Sequence, residues 1–411
     1  MTLVTIPQGP SILEGYQRVL GQRALDVLEG VAKQLRRHRL VMVNSTAVGG
    51  GVAEILHRLV RLLNELGVHT TWEVMEGTPR FFAITKTIHN TLHGQPGVLE
   101  EEDRDYFRSW GREQSERLAL DGDLIMIHDP QPIAMVEHRR RPGQQWVWRC
   151  HIDLAQADPR VWGFLSPWVA TYDAAVFSAT QFVPPLTTPA YLVPPSIDPL
   201  SEKNVDMTPP EVTTVLERLG LPVSTPLVTQ ISRFDRIKDP LGVLEAFRLI
   251  VRQEPAHLVL AGGSASDDPE GATVLAEVRA RAEGLRGVTI LELPPDAHHD
   301  INAIQRGSTV VLQKSLREGF ALTVTEALWK RRAVVASAVG GIPLQVLHER
   351  TGLLVRSIEG TAYQVTRLLR NAYLRRRLGD SGHRHVRANF LHPREARDYL
   401  AVFARLLNGA A

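Results

Sequence analysis

Arg39-Leu-Val-Met-Val-Asn-Ser45 is followed by Gly49-Gly50-Gly51, then by Ile55, Leu56, Leu59, Leu62 and Leu63, and then by Val68-His-Thr-Thr-Trp-Glu-Val74. The first run is short and almost wholly apolar, as a strand covered on both faces must be. The leucines recur at helical spacing, and the last run is rich in residues that favour strands. Strand, glycine turn, amphipathic helix and strand make a βαβ unit, whose two strands are parallel.

The same alternation continues outward. Asp123-Leu-Ile-Met-Ile127, Gln145-Trp-Val-Trp-Arg-Cys150 and Ala174-Ala-Val-Phe177 read as further strands. A stretch with Pro184, Pro185, Pro189, Pro194, Pro195 and Pro199 follows. Proline cannot donate to a sheet and stiffens connectors, which puts a hinge near residues 195–200. The pattern then restarts at Leu227-Val-Thr-Gln-Ile231, His257-Leu-Val-Leu-Ala261, Val288-Thr-Ile-Leu-Glu292, Thr309-Val-Val-Leu312 and Ala333-Val-Val-Ala336. The expected architecture is α/β, with two Rossmann-like domains facing one another across a cleft. Their bounds are read as 1–196 and 197–390, with a C-terminal helix of about 390–411 packing back on the first. Before the first strand, Leu20, Ala24, Val27 and Val31 are expected to share the apolar face of a helical extension.

Composition agrees with two cores, since 411 residues exceed one ordinary domain. A formal net charge of +2 argues against nucleic-acid and membrane partners, and clusters such as His138-Arg139-Arg140-Arg141 read as solvated. Cys150 is the single cysteine, so no internal disulfide forms and a reducing cytoplasm is expected. Met1 to Pro10 lacks the signature of a signal peptide, and no run reaches the length of a membrane span. Lysine stands only at positions 33, 86, 203, 238, 314 and 330, so a lysine beside other candidates merits attention.

The most specific chemical signal is Glu318-Gly-Phe-Ala-Leu-Thr-Val-Thr-Glu326, which follows a strand and is read as opening a helix at about Phe320. The amides of Phe320, Ala321 and Leu322 are then helix-start donors suited to phosphate or sugar oxygens. Glu326 could accept the two hydrogen bonds of a ribose diol, and Glu318 in the loop could meet a sugar. A capping acid and an exposed glutamate is the plainer alternative. Ser232-Arg-Phe-Asp-Arg-Ile-Lys-Asp-Pro240 follows the first strand of the second half, where open α/β sheets bind ligands. Arg233 and Lys238 are cations able to neutralise a diphosphate there, one as a fork and one as a point charge.

In the first half, the Gly49–Gly51 turn would let a ligand approach the backbone, Gly50 and Gly51 above all. Glu54 stands where a dinucleotide fingerprint needs its third glycine, which disfavours a nicotinamide dehydrogenase. His128-Asp129 and His151-Ile-Asp153 each follow a strand, and imidazole with carboxylate suits sugar hydroxyls. The same residues raise a metal reading, but close ligand spacing is lacking and no metal site is expected. Hydrolase and ATPase motifs are missing, since the chain has no Gly-x-Ser-x-Gly elbow and no Walker lysine.

The Glu-x7-Glu element, the Arg233/Lys238 loop and the Gly49–Gly51 turn resemble those of retaining GT-B-fold glycosyltransferases related to sucrose and glycogen synthases. Within that group, Gly49-Gly-Gly-Val-Ala-Glu-Ile-Leu56, His128-Asp-Pro-Gln-Pro132 and Trp148-Arg-Cys-His-Ile-Asp153 look most like the trehalose glycosyltransferring synthases. The resemblance implies transfer of glucose from a nucleoside diphosphate glucose to free glucose. It also implies a site made of Arg233, Lys238, Glu318 and His151, a donor grip by Glu326, Phe320, Ala321, Leu322, Gly50 and Gly51, and acceptor contacts from His128, Asp129 and Asp153. No tightly bound cofactor is implied, and Mg2+ would assist the diphosphate rather than occupy a protein site. A homodimer is expected without a residue to argue for it. Trehalose phosphorylase is the first rival, followed by a nucleotide-sugar epimerase and a non-catalytic sugar or nucleotide sensor.

Overall fold

The computed structural model describes residues 3–6, 9–47, 51–138, 141–263 and 269–409. The chain divides into two compact units, Met1–Ser196 with His392–Ala411, and Ile197–Leu391.

The first unit holds β1 (Arg39–Asn44), β2 (His69–Val74), β3 (Leu124–His128), β4 (Gln145–Arg149), β5 (Ala174–Phe177) and β6 (Ala190–Leu192) in the order β2-β1-β3-β4-β5-β6, with every pairing parallel. The strand order reverses beside β1 and β3, so the crevice for a ligand lies past their carboxyl ends. The helix Gly51–Glu65 follows β1 and buries Ile55, Leu56, Leu59, Leu62 and Leu63. Gly51 opens that helix, whereas Gly49 and Gly50 fall outside the described residues. The C-terminal helix His392–Asn408 packs on Gly51–Glu65 and on the N-terminal helix Gln22–Ala32.

The second unit repeats the plan with β7 (Leu227–Ile231), β8 (His257–Gly262), β9 (Val288–Glu292), β10 (Val310–Gln313), β11 (Ala333–Ser337) and β12 (Leu353–Val355) in the order β12-β11-β10-β7-β8-β9, again all parallel. Both faces are covered. Val228, Leu258 and Leu260 pack with Val243 and Phe247 on one side, while Leu227, Ile231 and Val259 pack with Leu216 and Ile304 on the other. The order reverses here between β7 and β10.

Two short strands carry little sequence pattern, and one expectation gives way. β6 lies inside the proline-rich stretch. It is a three-residue edge strand between Pro189 and Pro194, and an edge needs fewer donors than a strand interior does. β12 is equally short. The N-terminal helix turns the other way: Val27 is 50% exposed, while Leu25, Leu28 and Ala32 are buried. Gly21, at φ 87°, breaks the extension into two helices and resets the face.

Candidate active site

In the second unit the loops leaving β7 and β10 meet at the switch point. The β7 loop leaves through Ser232, whose carbonyl would lie 1.8 Å from a Cβ at position 262, so Gly262 is what lets the loop pass over β8. Asp235 then accepts the Ile237 amide at 2.9 Å and starts the 3-10 turn Arg236–Lys238. Asp239, at φ 49°, accepts the Gly242 amide at 3.0 Å and caps the helix Pro240–Ile250. These two caps hold Lys238 between them.

Lys238 reaches the other loop. Its Nζ donates to Glu318 Oε1 at 2.7 Å, an oxygen that also accepts from Gln313 Nε2 at 3.0 Å and Ser315 Oγ at 2.6 Å. One residue past Lys238, Asp239 pairs with Lys314 Nζ, which lies four residues before Glu318 on the other loop. Gln230, at the end of β7, ties the two loops together. Its Nε2 donates to the Lys238 carbonyl at 2.9 Å, and its Oε1 accepts the Lys314 amide at 2.9 Å. The result is two ion pairs side by side, with a lysine and a carboxylate contributed by each loop. Arg233 stands apart from them: its side chain is 58% exposed and pairs with Asp235 at 3.5 Å.

The helix after β10 starts later than the sequence suggested. It runs Leu322–Trp329, because Ala321 takes the left-handed conformation at φ 69°. A non-glycine residue there marks backbone held by its surroundings. Gln345 donates to the Phe320 carbonyl, and the Phe320 ring packs on Phe390 with centroids 5.5 Å apart. Gly340 and Gly341 press on the loop from behind. A Cβ at 340 would lie 1.7 Å from the Glu318 carbonyl oxygen, and the Gly341 amide donates to the Gly319 carbonyl at 3.0 Å. Among the described residues no acceptor meets the amides of Phe320, Ala321 and Leu322.

Glu326, one turn into that helix, is 3% exposed and lies 3.9 Å from Lys203 Nζ. Beneath it Lys330 donates to Asn204 Oδ1 at 3.0 Å and Gln305 Oε1 at 2.6 Å. Burial pushes the Lys330 ammonium down to about 7, and the Glu326 carboxylate opposes that fall.

The first unit assembles its own cluster past β3 and β4. His128 Nδ1 lies 3.1 Å from His151 Nε2, with the two rings stacked at 5.5 Å. Asp129 sits beside them at φ 65°. Its amide donates to the Arg149 carbonyl at 2.8 Å, its carbonyl accepts Trp148 Nε1 at 3.0 Å, and its carboxylate accepts the His151 amide at 2.8 Å. Burial lowers both imidazoles, with the Arg149 charge adding to the effect, and His128 falls to about 3. Burial raises Asp129 to about 6, against the pull of the His151 amide and Arg149. Asp153 is less central, and its carboxylate accepts the Ala155 amide at 2.9 Å.

The structure therefore brings Lys238 to Glu318, and His128 to His151 and Asp129. Among the described residues it leaves Arg233 paired with Asp235 alone. Sequence reasoning passed over Lys314, Gln230, Gln313 and the Gly340-Gly341 pair. Lys314 had a usable signal, being one of six lysines and four residues before Glu318. Arg149 gave none beyond its place at the end of a strand. Among the described residues no group of three or more His, Cys, Asp or Glu side chains is set to hold a metal ion, and no helix is long and apolar enough to cross a membrane.

Comparison with known proteins places these features in a family. Residues 42–184 match the family described as "Trehalose synthase, N-terminal domain", and residues 212–385 match "Glycosyl transferases group 1". A trehalose synthase of Rubrobacter xylanophilus is 39% identical over 98% of this chain and 99% of its own length. A trehalose phosphorylase of Pleurotus pulmonarius is 28% identical over 93% of this chain and 60% of its own length. Among solved structures, a sucrose-phosphate synthase of Thermosynechococcus elongatus superposes with a TM-score of 0.72 at 20% identity, covering 91% of this chain and 100% of that one, which shows a shared GT-B fold. With two six-stranded parallel sheets and a full-length relative at this identity, the chain is a GT-B glycosyltransferase and belongs to the trehalose synthase family.

Proposed function

We propose that this enzyme moves glucose from a nucleoside diphosphate glucose to free glucose, with retention, and so makes α,α-trehalose. The observation that carries the reading is the Lys238–Glu318 pair at the β7/β10 switch point, beside the three uncommitted amides of residues 320–322. A cation and aligned backbone donors at a strand end form a ready cradle for a diphosphate.

Roles follow from that cradle. Lys238, with Arg233 swinging from the exposed side of its loop, stabilises the departing diphosphate as charge gathers on it. Glu318 and the amides of Phe320, Ala321 and Leu322 hold the donor glucose, and Glu326 holds the ribose. His128, His151, Asp129 and Asp153 serve the acceptor and the reacting centre. Gly50 and Gly51 give the substrate access to backbone. Magnesium, where it takes part, accompanies the diphosphate.

Retention requires either a carboxylate nucleophile or attack from the face the leaving group departs. Glu318 Oε1 is already committed to three donors, which spends its charge and fixes its position. That favours front-face attack. The bond from the anomeric carbon to the phosphate oxygen breaks, the acceptor oxygen bonds to that carbon, and the acceptor proton passes to the departing phosphate. The phosphorylase reading uses inorganic phosphate in place of the nucleotide, so Glu326 would have no ribose to hold. The higher identity to the synthase, 39% against 28%, favours the nucleotide reading.

The test is a product assay with a nucleoside diphosphate glucose and free glucose, resolved by chromatography. A non-reducing disaccharide with stoichiometric nucleotide is the expected result. Glucose 1-phosphate from trehalose and phosphate, with no turnover of any nucleotide sugar, would replace the proposal with the phosphorylase.

A further inference from the structure

His128 and Arg149 are register partners at the ends of β3 and β4, so their side chains leave the sheet on the same face. His151 lies two residues past Arg149 on the same segment. The sheet thus carries two imidazoles and a guanidinium on one side of its carboxyl edge. Arg149 is wholly buried. Its Nη2 donates to Ser178 Oγ at 3.2 Å, while Nε and Nη1 meet no acceptor among the described residues. The Tyr399 ring, from the C-terminal helix His392–Asn408, covers the guanidinium with 5.9 Å between Cζ and the ring centroid. A buried cation without a contact ion pair is expensive, and such groups persist where the surrounding structure uses their charge.

We propose that Arg149 is a positioning residue of the first unit's site, a buried guanidinium under Tyr399 against which Asp129 and the His128–His151 pair are set. Its backbone carbonyl fixes the Asp129 amide at 2.8 Å and so helps hold the left-handed turn that aims the Asp129 carboxylate at the His151 amide. Its charge opposes a proton on either imidazole, in addition to the effect of burial. The charged and titratable groups around it are Asp129, His128, His151, Cys150 and Asp153 from the loops, with Glu395, Arg394 and Tyr399 from the C-terminal helix. Two neutral imidazoles sharing one hydrogen bond have linked tautomers. If His128 Nδ1 donates, His128 Nε2 is left as an acceptor; if His151 Nε2 donates, His128 Nε2 carries the proton. The pair is therefore uncharged, with His128 Nε2 buried and meeting no partner among the described residues, and the C-terminal helix belongs to the site through Tyr399.

The charge state can be tested without substrate. Only the effect on turnover rests on the proposed glucosyl transfer. In the full chain with labelled histidine, imidazole shifts assigned by difference with His128→Asn and His151→Asn should stay neutral down to about pH 5. In Arg149→Met both titrations should move up by about one pH unit, and Arg149→Lys should restore them. Turnover of Arg149→Met should fall roughly tenfold, as when a partner that orients a functional side chain is removed. The KM for the nucleotide donor should hold, and the acidic limb of the pH profile should move with the histidines. Unshifted histidines in Arg149→Met overturn the proposal. So does a protonated His128 or His151 at pH 6 in the unmodified chain, which needs no variant to fold. Shifted histidines in a chain that makes no trehalose would uphold the positioning role and discard the glucosyl transfer.

Discussion

At its switch point the second unit sets its charges in matched pairs, Lys238 with Glu318 and Lys314 with Asp239, and each lysine reaches a carboxylate on the opposite loop. The first unit buries Arg149 with a serine oxygen as its contact, sets two imidazoles beside it and leaves Asp129 with a raised affinity for protons. Both clusters occupy the same place, past the carboxyl ends of central strands. The difference shows two ways of preparing a polar site. Matched pairs keep the loops in register and hold a cation ready for an anionic ligand at little electrostatic cost. An unmatched guanidinium adds its charge to the effect of burial on the neighbouring imidazoles and costs stability unless its surroundings are rigid.

Lys238→Met gives the largest effect that would break this contrast. It leaves Glu318 buried with only neutral donors, and removing one member of a buried pair costs about 3 kcal/mol or more. Adding Glu318→Gln should recover part of that loss, since the orphaned charge goes with it. Chemical denaturation of the two single variants and the double variant gives the coupling. Additive losses would mean that the 2.7 Å contact does not bind the loops together.

A smaller effect should come from His128, and its sign is the same as that of a paired carboxylate, since both hold a proton less tightly in the folded chain than in the unfolded one. Burial and Arg149 hold the native imidazole at about 3, against 6.5 when unfolded. Between those values the unfolded chain takes up a proton that the native chain refuses, so stability falls as the pH drops below 6.5. Replacing His128 with Gln should remove about 2 kcal/mol of the loss between pH 6.5 and 4.5. Denaturation midpoints across that range provide the measurement. Parallel slopes for the two proteins would show that His128 is protonated in the native state.

How much of this was legible beforehand depended on range. Buried parallel strands announce themselves as short apolar runs, so ten of the twelve were readable; β6 and β12, at three residues each, offer too little pattern. The Val27 face failed because Gly21 interrupts the helix, and periodicity counted across the break selects the wrong side. Glu318 and Lys238 were visible through their motifs, but the bond between them spans 80 residues, and no local rule predicts it. The left-handed Ala321 was hidden for a related reason. Nothing in Phe-Ala-Leu requires it, and the Gly340-Gly341 approach and the Gln345 amide that hold the loop come from distant sequence. Arg149 shows the limit most clearly: an arginine ending an apolar strand reads as an edge, yet the fold places it under Tyr399, 250 residues later.

Arg233 supplies the smallest effect on the fold and the sharpest separation of fold from chemistry. Its side chain is 58% exposed, and its contact with Asp235 is 3.5 Å long. Exposed pairs of that kind contribute about 0–1 kcal/mol, so Arg233→Ala should unfold where the unmodified chain does. If its guanidinium meets the departing diphosphate, turnover should nonetheless drop by about 10²-fold or more, as when one donor to a developing charge is lost. Lys238→Met would lose stability and activity together, whereas Arg233→Ala would lose activity alone. Measuring the melting temperature and kcat of both variants on one preparation distinguishes a cation that builds the site from one that only serves it. An Arg233→Ala enzyme with unchanged kcat would leave the diphosphate to Lys238 and the loop amides.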